Sequence, residues 1–422
     1  MAIARAVVVA TLPGSETVVA GLPLAARAAL VLDAAGVEAV AVLAPDRPAW
    51  LRGPLERRGV AVTWLATPDD ATRFADRAGE RGPALVLRGD VLVDAAGARA
   101  LTAAVPATRF EDASGRAVAW HCLPAELVPC LRAAAAGVAP PAGATARAAE
   151  ARAPGPESRG HEAPSLEAGE GLVLSLAGAG SPGALEARLL GALARRTERR
   201  DSYLAALIDR RLSRPVTRLF LRTPLTPSGV TLLSVAAGLV GAAGLATTSY
   251  ATRVAGVLCL LASIVLDCVD GEVARARLEQ SPAGARLDVV GDYVVHLAVF
   301  GGLATGLLRQ GLPPGGGRAA LALVGGVGAA MLVMHVLFVR PALRQGDLHW
   351  GGGGSSGGDT AIADVAEKLA SRDYTYLLLV LALLGHLEWF LYAAAVGSWV
   401  FAVALLGYRL VAPAARDAAA SP

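Results

Sequence analysis

The chain has 422 residues, is 54% hydrophobic, and carries 39 basic against 36 acidic residues for a formal net charge of +3. With a mean hydropathy of +0.49, that composition excludes an ordinary soluble protein, and the length leaves room for two or three domains. So small a charge excess gives no ground for a nucleic-acid partner, and none is expected. Cys122, Cys130, Cys259 and Cys268 show no ligand spacing. Cys259 and Cys268 lie in apolar runs and read as small core side chains, so neither a disulfide framework nor a zinc site is indicated.

Met1 to Ala10 is apolar but short, lacks a basic segment and is closed by Leu12-Pro13-Gly14, which reads as a buried strand rather than a signal peptide. Residues 1–140 alternate short apolar runs with Ala-rich helical stretches. Strands are expected at Ala4–Ala10, Ala39–Leu43, Val60–Leu65 and Ala84–Leu87, with a helix over Pro23–Ala35 that Gly36 stops. That alternation predicts a parallel α/β layer domain. Residues 141–184 are Pro-, Ala- and Gly-rich and read as a linker, with Leu172–Leu176 as a candidate returning strand.

Residues 185–225 read as an amphipathic juxtamembrane helix. Nine arginines fall between Gly191 and Arg222, a density that suits an anionic surface or a phosphate. Residues 226–412 are expected to form an all-α unit of six membrane helices, near 229–248, 253–272, 287–307, 320–339, 374–392 and 394–412. Each segment approaches the roughly 20 residues a bilayer core requires. Arg210 to Arg222, the stretch Arg275 to Arg286, Arg340, Arg344, Lys368, Arg372, Arg409 and Arg416 all fall on one side of these spans. The positive-inside rule makes that side cytoplasmic, together with the first domain and the acidic cluster described next. The tract Gly351–Gly358 reads as a flexible insert on the same side.

Asp267, Asp270, Gly271 and Ala274 are spaced i, i+3, i+4, i+7 and share one helical face, and Asp288 and Asp292 share another. Charges at bilayer depth persist only when paired, solvated or bound to metal. A single aspartate there reads as a helix cap or as a partner of Arg275, Arg277 or Arg286; four on two matching faces do not. Oxygen-only ligands suit a hard ion such as Mg²⁺ or Mn²⁺, and two such ions can clamp a pyrophosphate. Gly271 and Gly284 leave room for a large ligand, and the planar fork of Arg275 suits a phosphate.

The full spacing runs Asp267, Asp270-Gly271, Ala274-Arg275, Gly284, Asp288, Asp292, and it resembles the signature of the CDP-alcohol phosphotransferases. The wider resemblance extends from about Asp201 to Arg409. It implies a six-helix, usually homodimeric membrane fold in which the hydroxyl of a second alcohol displaces CMP from a CDP-alcohol. It also implies that Asp267, Asp270, Asp288 and Asp292 form the metal centre and that Asp292 takes the proton from the attacking hydroxyl. Gly271, Ala274, Arg275 and Gly284 are then the nucleotide-binding positions. A diphosphate donor needs charge neutralisation and alignment more than a covalent nucleophile, which favours direct transfer.

Arg214 and Arg218, four residues apart on the arginine-rich helix, and Arg372 are the candidates for an acceptor phosphate, although lying on anionic lipid explains most of these arginines equally well. The entry loop before the first span, Ser371-Arg372-Asp373-Tyr374 and Leu387-Glu388-Trp389-Phe390 resemble the subgroup that makes inositol-phosphate diesters, the di-myo-inositol phosphate phosphate synthases, although Thr226-Pro227-Ser228 has serine where that subgroup commonly has asparagine. That resemblance implies inositol-1-phosphate as acceptor. Trp389 and Phe390 also suffice as aromatic interface anchors, and His296, one turn beyond Asp292, reads either as a support of the site or as a packed side chain.

Residues 1–140 resemble a nucleotidyltransferase domain of the inositol-1-phosphate cytidylyltransferase kind, with Gly89-Asp90 where such enzymes place a metal-binding aspartate. The stretch Ala10-Thr11-Leu12-Pro13-Gly14-Ser15-Glu16-Thr17 has one glycine, no basic residue and an acidic Glu16, which is unsuited to cradling a triphosphate. A degenerate domain that regulates, stabilises or recruits is therefore expected. The competing function readings are a phospholipid synthase using CDP-diacylglycerol or a lipid alcohol, a cation-coupled transporter, and a non-enzymatic scaffold. All the enzyme readings place the chain in a bacterial or archaeal cell membrane, with a CDP-alcohol donor and an alcohol or phospho-alcohol acceptor.

Overall fold

The computed structural model of the protein describes residues 3–77, 83–103, 109–112, 116–123, 126–138, 172–198, 208–340 and 374–419. The chain divides into two compact units, Met1–Ala192 and Leu193–Pro422.

The first unit is an α/β layer domain. Its elements begin with β1 (Arg5–Val9), the hairpin β2 (Val18–Val19) and β3 (Leu22–Pro23), α1 (Leu24–Ala34), β4 (Ala39–Leu43), α2 (Ala49–Arg57) and β5 (Val62–Leu65). After a 3₁₀ turn come α3 (Ala71–Arg77), β6 (Ala84–Arg88), β7 (Val91–Val93), α4 (Ala95–Ala103), β8 (Arg109–Glu111), β9 (Ala117–Cys122) and α5 (Leu127–Ala135). The main sheet has the order β5-β4-β1-β6-β9-β8. β1 is buried along its whole length because parallel partners flank it, Val7 lying opposite Ala41 of β4 and Val86 of β6. β9 and β8 complete the sheet in the antiparallel sense. β10 (Val173–Ser175) pairs antiparallel with β7 and leads into the short α6 (Leu176–Ala179) and into α7 (Pro182–Glu198).

The second unit is all-helical: α8 (Arg210–Leu221), α9 (Pro227–Leu245), α10 (Tyr250–Arg277), α11 (Pro282–Gln310), α12 (Gly316–Met334), α13 (Tyr374–Leu384) and α14 (Leu387–Ala419). Backbones in the α9–α11 group touch. A Cβ on Gly244 of α9 would meet the Gly256 Cα of α10 at 2.8 Å, the close approach that small residues permit between membrane helices. The core of this unit is built from Leu245, Leu260, Val299, Leu303, Leu323 and Leu391, among others.

The expectation of six membrane helices is corrected. Among the described residues five helices are long and apolar enough to cross a bilayer: α9, α10, α11, α12 with its π-helical extension to Leu337, and Leu387–Gly407 of α14. The remaining apolar helix, α13, has 11 residues. At 1.5 Å per residue it rises only about 16 Å, roughly half the hydrocarbon thickness. Local chemistry ends it: Gly385 takes φ +76° and the His386 N–H reaches back to the Leu381 carbonyl at 2.8 Å, a left-handed helix stop. The expected break between the spans 374–392 and 394–412 is absent, since α14 runs without interruption through those positions.

The linker composition of 141–171, the tract Gly351–Gly358, Lys368 and Arg372 lie outside the described residues. All four cysteines are free; Cys122 and Cys130 are buried, whereas Cys259 and Cys268 are partly exposed.

Candidate active site

Two helix ends and the turn between them build the site. α10 closes on Leu278 in the left-handed region (φ +55°), with the Glu279 N–H bonded to the Ala274 carbonyl at 2.8 Å. Three residues later Ser281 caps α11: its Oγ accepts from the Gly284 N–H at 3.0 Å, and Pro282 occupies the first helical position. This tight reversal brings the carboxylates near the end of α10 against those near the start of α11. Asp267, Asp288 and Asp292 each offer a carboxylate oxygen, and these atoms lie within 4.8 Å of one another.

Asp270 is not part of that triplet. It is 7% exposed, and its Oδ2 accepts from Thr231 Oγ1 of α9 at 2.5 Å. Its place is in an adjoining open cavity of about 330 Å³, which Asp288 also lines. Asp288 thus belongs to both the carboxylate triplet and the cavity wall. Gly271, Ala274, Arg275 and Gly284, the expected nucleotide positions, line the same cavity, as do Ser228 and Glu279. The space left by Gly271 is used by the chain itself: a Cβ there would meet Arg275 Nη1 at 3.1 Å, so the guanidinium lies along the glycine. Three converging carboxylates form an oxygen donor set fit for a hard divalent cation.

The candidates for an acceptor phosphate sit differently. Arg214 and Arg218 are on the exposed face of α8. The buried arginine of that helix is Arg210, whose Nη1 lies 2.9 Å from Glu272 Oε1. Ser213 Oγ donates to the same carboxylate at 2.8 Å and Thr217 Oγ1 at 2.5 Å. Sequence reasoning passed over this cluster, although Arg210, Ser213 and Thr217 mark one helix face at i, i+3, i+7. Arg277 was read only as a salt-bridge partner; instead its guanidinium donates to the carbonyls of Phe220, Leu221, Thr223 and Leu225 at 2.5–3.3 Å.

His296 packs rather than ligates. Its Nδ1 is 2.8 Å from the Asp292 carbonyl, and its ring meets Tyr374 edge-on at 5.8 Å. Phe390 stacks on Phe300, whereas Trp389 is 67% exposed.

In the first unit, Asp90 is buried and held by a bidentate pair with Arg88, Nε to Oδ1 at 3.0 Å and Nη2 to Oδ2 at 2.9 Å. Arg116 Nη2 stands 3.9 Å from the same Oδ2. The loop after β1 is filled from within its own unit: a Cβ on Gly14 would meet Leu176 Cδ2 at 2.8 Å, and the Leu176 N–H bonds to the Asp90 carbonyl at 3.0 Å.

The second unit is therefore a polytopic membrane domain with a carboxylate centre at the joined ends of two of its helices. Residues 224–406 match the sequence model of the CDP-alcohol phosphatidyltransferase family, and this membrane domain belongs to that enzyme family.

Two curated relatives bear the name "Bifunctional IPC transferase and DIPP synthase". The one from Rubrobacter xylanophilus is 49% identical over 86 residues, covering 20% of this chain and 19% of that protein. The one from Thermococcus kodakarensis is 33% identical over 127 residues, covering 30% and 28%. The chain thus spans less than a third of the length of either relative. It is also similar to solved structures of Mycobacterium tuberculosis phosphatidylinositol phosphate synthase. The form with CDP-DAG bound is 24% identical, covering 47% of this chain and 92% of that one, with a TM-score of 0.31. The complex with manganese and citrate is 23% identical, covering 46% and 88%, with a TM-score of 0.30.

Proposed function

We propose that this protein is a metal-dependent CDP-alcohol phosphotransferase that joins a phospho-alcohol to the hydroxyl of a second alcohol and releases CMP. The observation that carries this reading is the meeting of the Asp267, Asp288 and Asp292 carboxylates beside a cavity lined by Asp270, Gly271, Ala274, Arg275 and Gly284.

Asp267, Asp288 and Asp292 are the residues to hold a Mg²⁺ or Mn²⁺ ion, with Asp270 beside them. When bound, the metal neutralises diphosphate charge and draws electrons from the phosphorus. Ala274 and Gly284 leave the cavity wall low enough for a nucleotide to lie along it, and Gly271 seats the Arg275 guanidinium in that wall. The guanidinium of Arg275 orients the diphosphate by charge-assisted hydrogen bonds. Asp292 accepts the proton of the attacking hydroxyl as the new oxygen–phosphorus bond forms. The bond to CMP breaks in the same displacement, and CMP leaves with the electron pair. The arginine distribution supports a cytoplasmic orientation for this site, and a homodimer is in keeping with the resemblance.

For the substrates, a phospholipid synthase using CDP-diacylglycerol or a lipid alcohol is the better-supported reading. The family is described by phosphatidyl transfer, and α11 exposes Val290 and Val294 beside its aspartates while α9 exposes Leu232. Apolar side chains open to the bilayer next to the reacting groups suit a substrate that keeps its tails in lipid. A soluble phospho-alcohol acceptor, inositol-1-phosphate, is the second reading, favoured by the curated relatives named for IPC transfer and DIPP synthesis.

The test is CMP release by the purified full chain in lipid nanodiscs. CDP-diacylglycerol, CDP-inositol and CDP-glycerol are offered as donors against lipid alcohols, inositol-1-phosphate and glycerol-3-phosphate. Release from at least one pair is expected, to be lost in EDTA and restored by Mg²⁺ or Mn²⁺. A folded, metal-loaded protein that releases no CMP from any pair overturns the reading and returns weight to a transporter.

A further inference from the structure

We infer that Glu272 and Arg277 are positioning residues that clasp α8 and the loop after it to α10, and thereby fix the wall of the nucleotide cavity. The inference rests on the transferase reading for its functional half and on the geometry alone for its structural half.

Glu272 and Arg277 are both buried. Glu272 lies between Gly271 and Ala274, yet α10 presents it to α8 rather than to the cavity. Its two carboxylate oxygens take three donors from one face of α8: Arg210, Ser213 and Thr217. A buried carboxylate that takes three donors from one helix face holds that face firmly, and losing it removes all three bonds at once. Arg277, one and a half turns further along α10, meets the far end of the same helix. Its fork adds to the cap of α8 by donating to the carbonyls of Phe220 and Leu221, and it also takes those of Thr223 and Leu225 in the following loop. A lysine has no planar fork with which to reach four carbonyls.

The loop held by Arg277 runs directly into Thr226, the cap of α9, whose Oγ1 accepts from the Gly229 N–H. Pro227, Ser228 and Thr231 of that first turn line the cavity, and Thr231 returns a hydrogen bond to Asp270. A closed loop of contacts therefore runs from Glu272 through α8, Arg277, the α9 cap and Thr231 to Asp270, two residues from where it began. Neither Glu272 nor Arg277 lines the cavity, so their action on a substrate goes through the wall and not through contact.

The experiment uses the full chain in nanodiscs with Glu272→Leu, Glu272→Gln, Arg277→Ala and Arg277→Lys, each checked for folding by its melting transition. Hydrogen exchange over residues 210–226 is one readout; kcat and the donor KM, with whichever pair yields CMP in the wild type, is the other. Glu272→Leu, Arg277→Ala and Arg277→Lys are expected to speed exchange in that segment about tenfold or more, and to raise the donor KM at least about tenfold with kcat within about threefold. Glu272→Gln keeps one acceptor oxygen for Arg210 and Ser213 but turns an NH₂ donor toward Thr217 and removes the charge opposite Arg210, and is expected to give a donor KM between those of wild type and Glu272→Leu. Unchanged exchange in folded Glu272→Leu and Arg277→Ala overturns the clasp. So does a donor KM that stays at the wild-type value, or a loss confined to kcat. If the wild type yields no CMP at all, the transferase reading fails while hydrogen exchange still decides the clasp.

Discussion

The aspartates at the joined helix ends have different neighbours at short range. Asp267, Asp288 and Asp292 converge, while Asp270 accepts a hydrogen bond from Thr231 at the adjoining cavity wall. Replacing any of Asp267, Asp288 or Asp292 by asparagine keeps the shape and removes one negative charge from the centre. A fall in CMP release of at least about a hundredfold is expected for each, measured beside an unchanged melting transition. At the other end of the chain, the Thr67 N–H and Oγ1 donate to Asp70 Oδ2 at 2.9 and 3.1 Å in a capping box. Those bonds, the backbone one first, hold the Asp70 carboxyl below the usual carboxylate range. A lowered folded value means the contribution to stability is present above the unfolded value and is lost as pH falls through the folded one. The melting temperatures of wild type and Asp70→Asn should therefore differ near neutral pH and converge in acid. A constant difference down to the lowest pH would refute the assignment.

Among the elements, α13 departs most from what the residue pattern suggests. The apolar run 374–392 looks like one span because Gly385-His386 occupies only two of its positions. The backbone stops there all the same, and the Gly385 turn sets the direction of α14. A Cβ on Gly385 would touch nothing within 4 Å, so Gly385→Ala tests the left-handed conformation alone. A loss of about 1 kcal/mol is expected from equilibrium unfolding, since the side chain opposes that conformation without any clash to confuse the reading. The strands of the first unit were more legible. The sequence pattern placed β1, β4, β5 and β6 within a residue or two; β1, β4 and β6 lie inside the sheet and need a short, continuous apolar run, whereas β5 is an edge strand with Thr63 exposed. β8 and β9 went unread: Arg109–Glu111 is too short and polar to stand out, and Ala117–Cys122 mixes His121 with apolar neighbours.

For the whole molecule the open question is what a first unit with a nucleotidyltransferase-like pattern contributes. Asp90 is neutralised by Arg88 and approached by Arg116, and Leu176 occupies the space beside Gly14. A metal–triphosphate complex needs a free carboxylate and an open, basic loop there. We therefore expect no pyrophosphate release when the full chain is given CTP, Mg²⁺ and inositol-1-phosphate, in an assay sensitive enough to detect one turnover per hour. Measurable release would restore this unit as an enzyme and favour the bifunctional, inositol-phosphate reading of the second.

Sequence alone determined the carboxylate pattern, the membrane character of the second unit and the α/β class of the first. Each depends on periodicity or composition, and a helix or strand converts spacing into a shared face without help from the rest of the chain. Only the tertiary structure decided that Asp270 meets Thr231 at the cavity wall, that Arg210 rather than Arg214 or Arg218 is the buried arginine of α8, and that five helices rather than six have spanning length among the described residues. Those outcomes depend on which neighbour a side chain meets, and on one glycine turn whose weight in a hydropathy window is negligible.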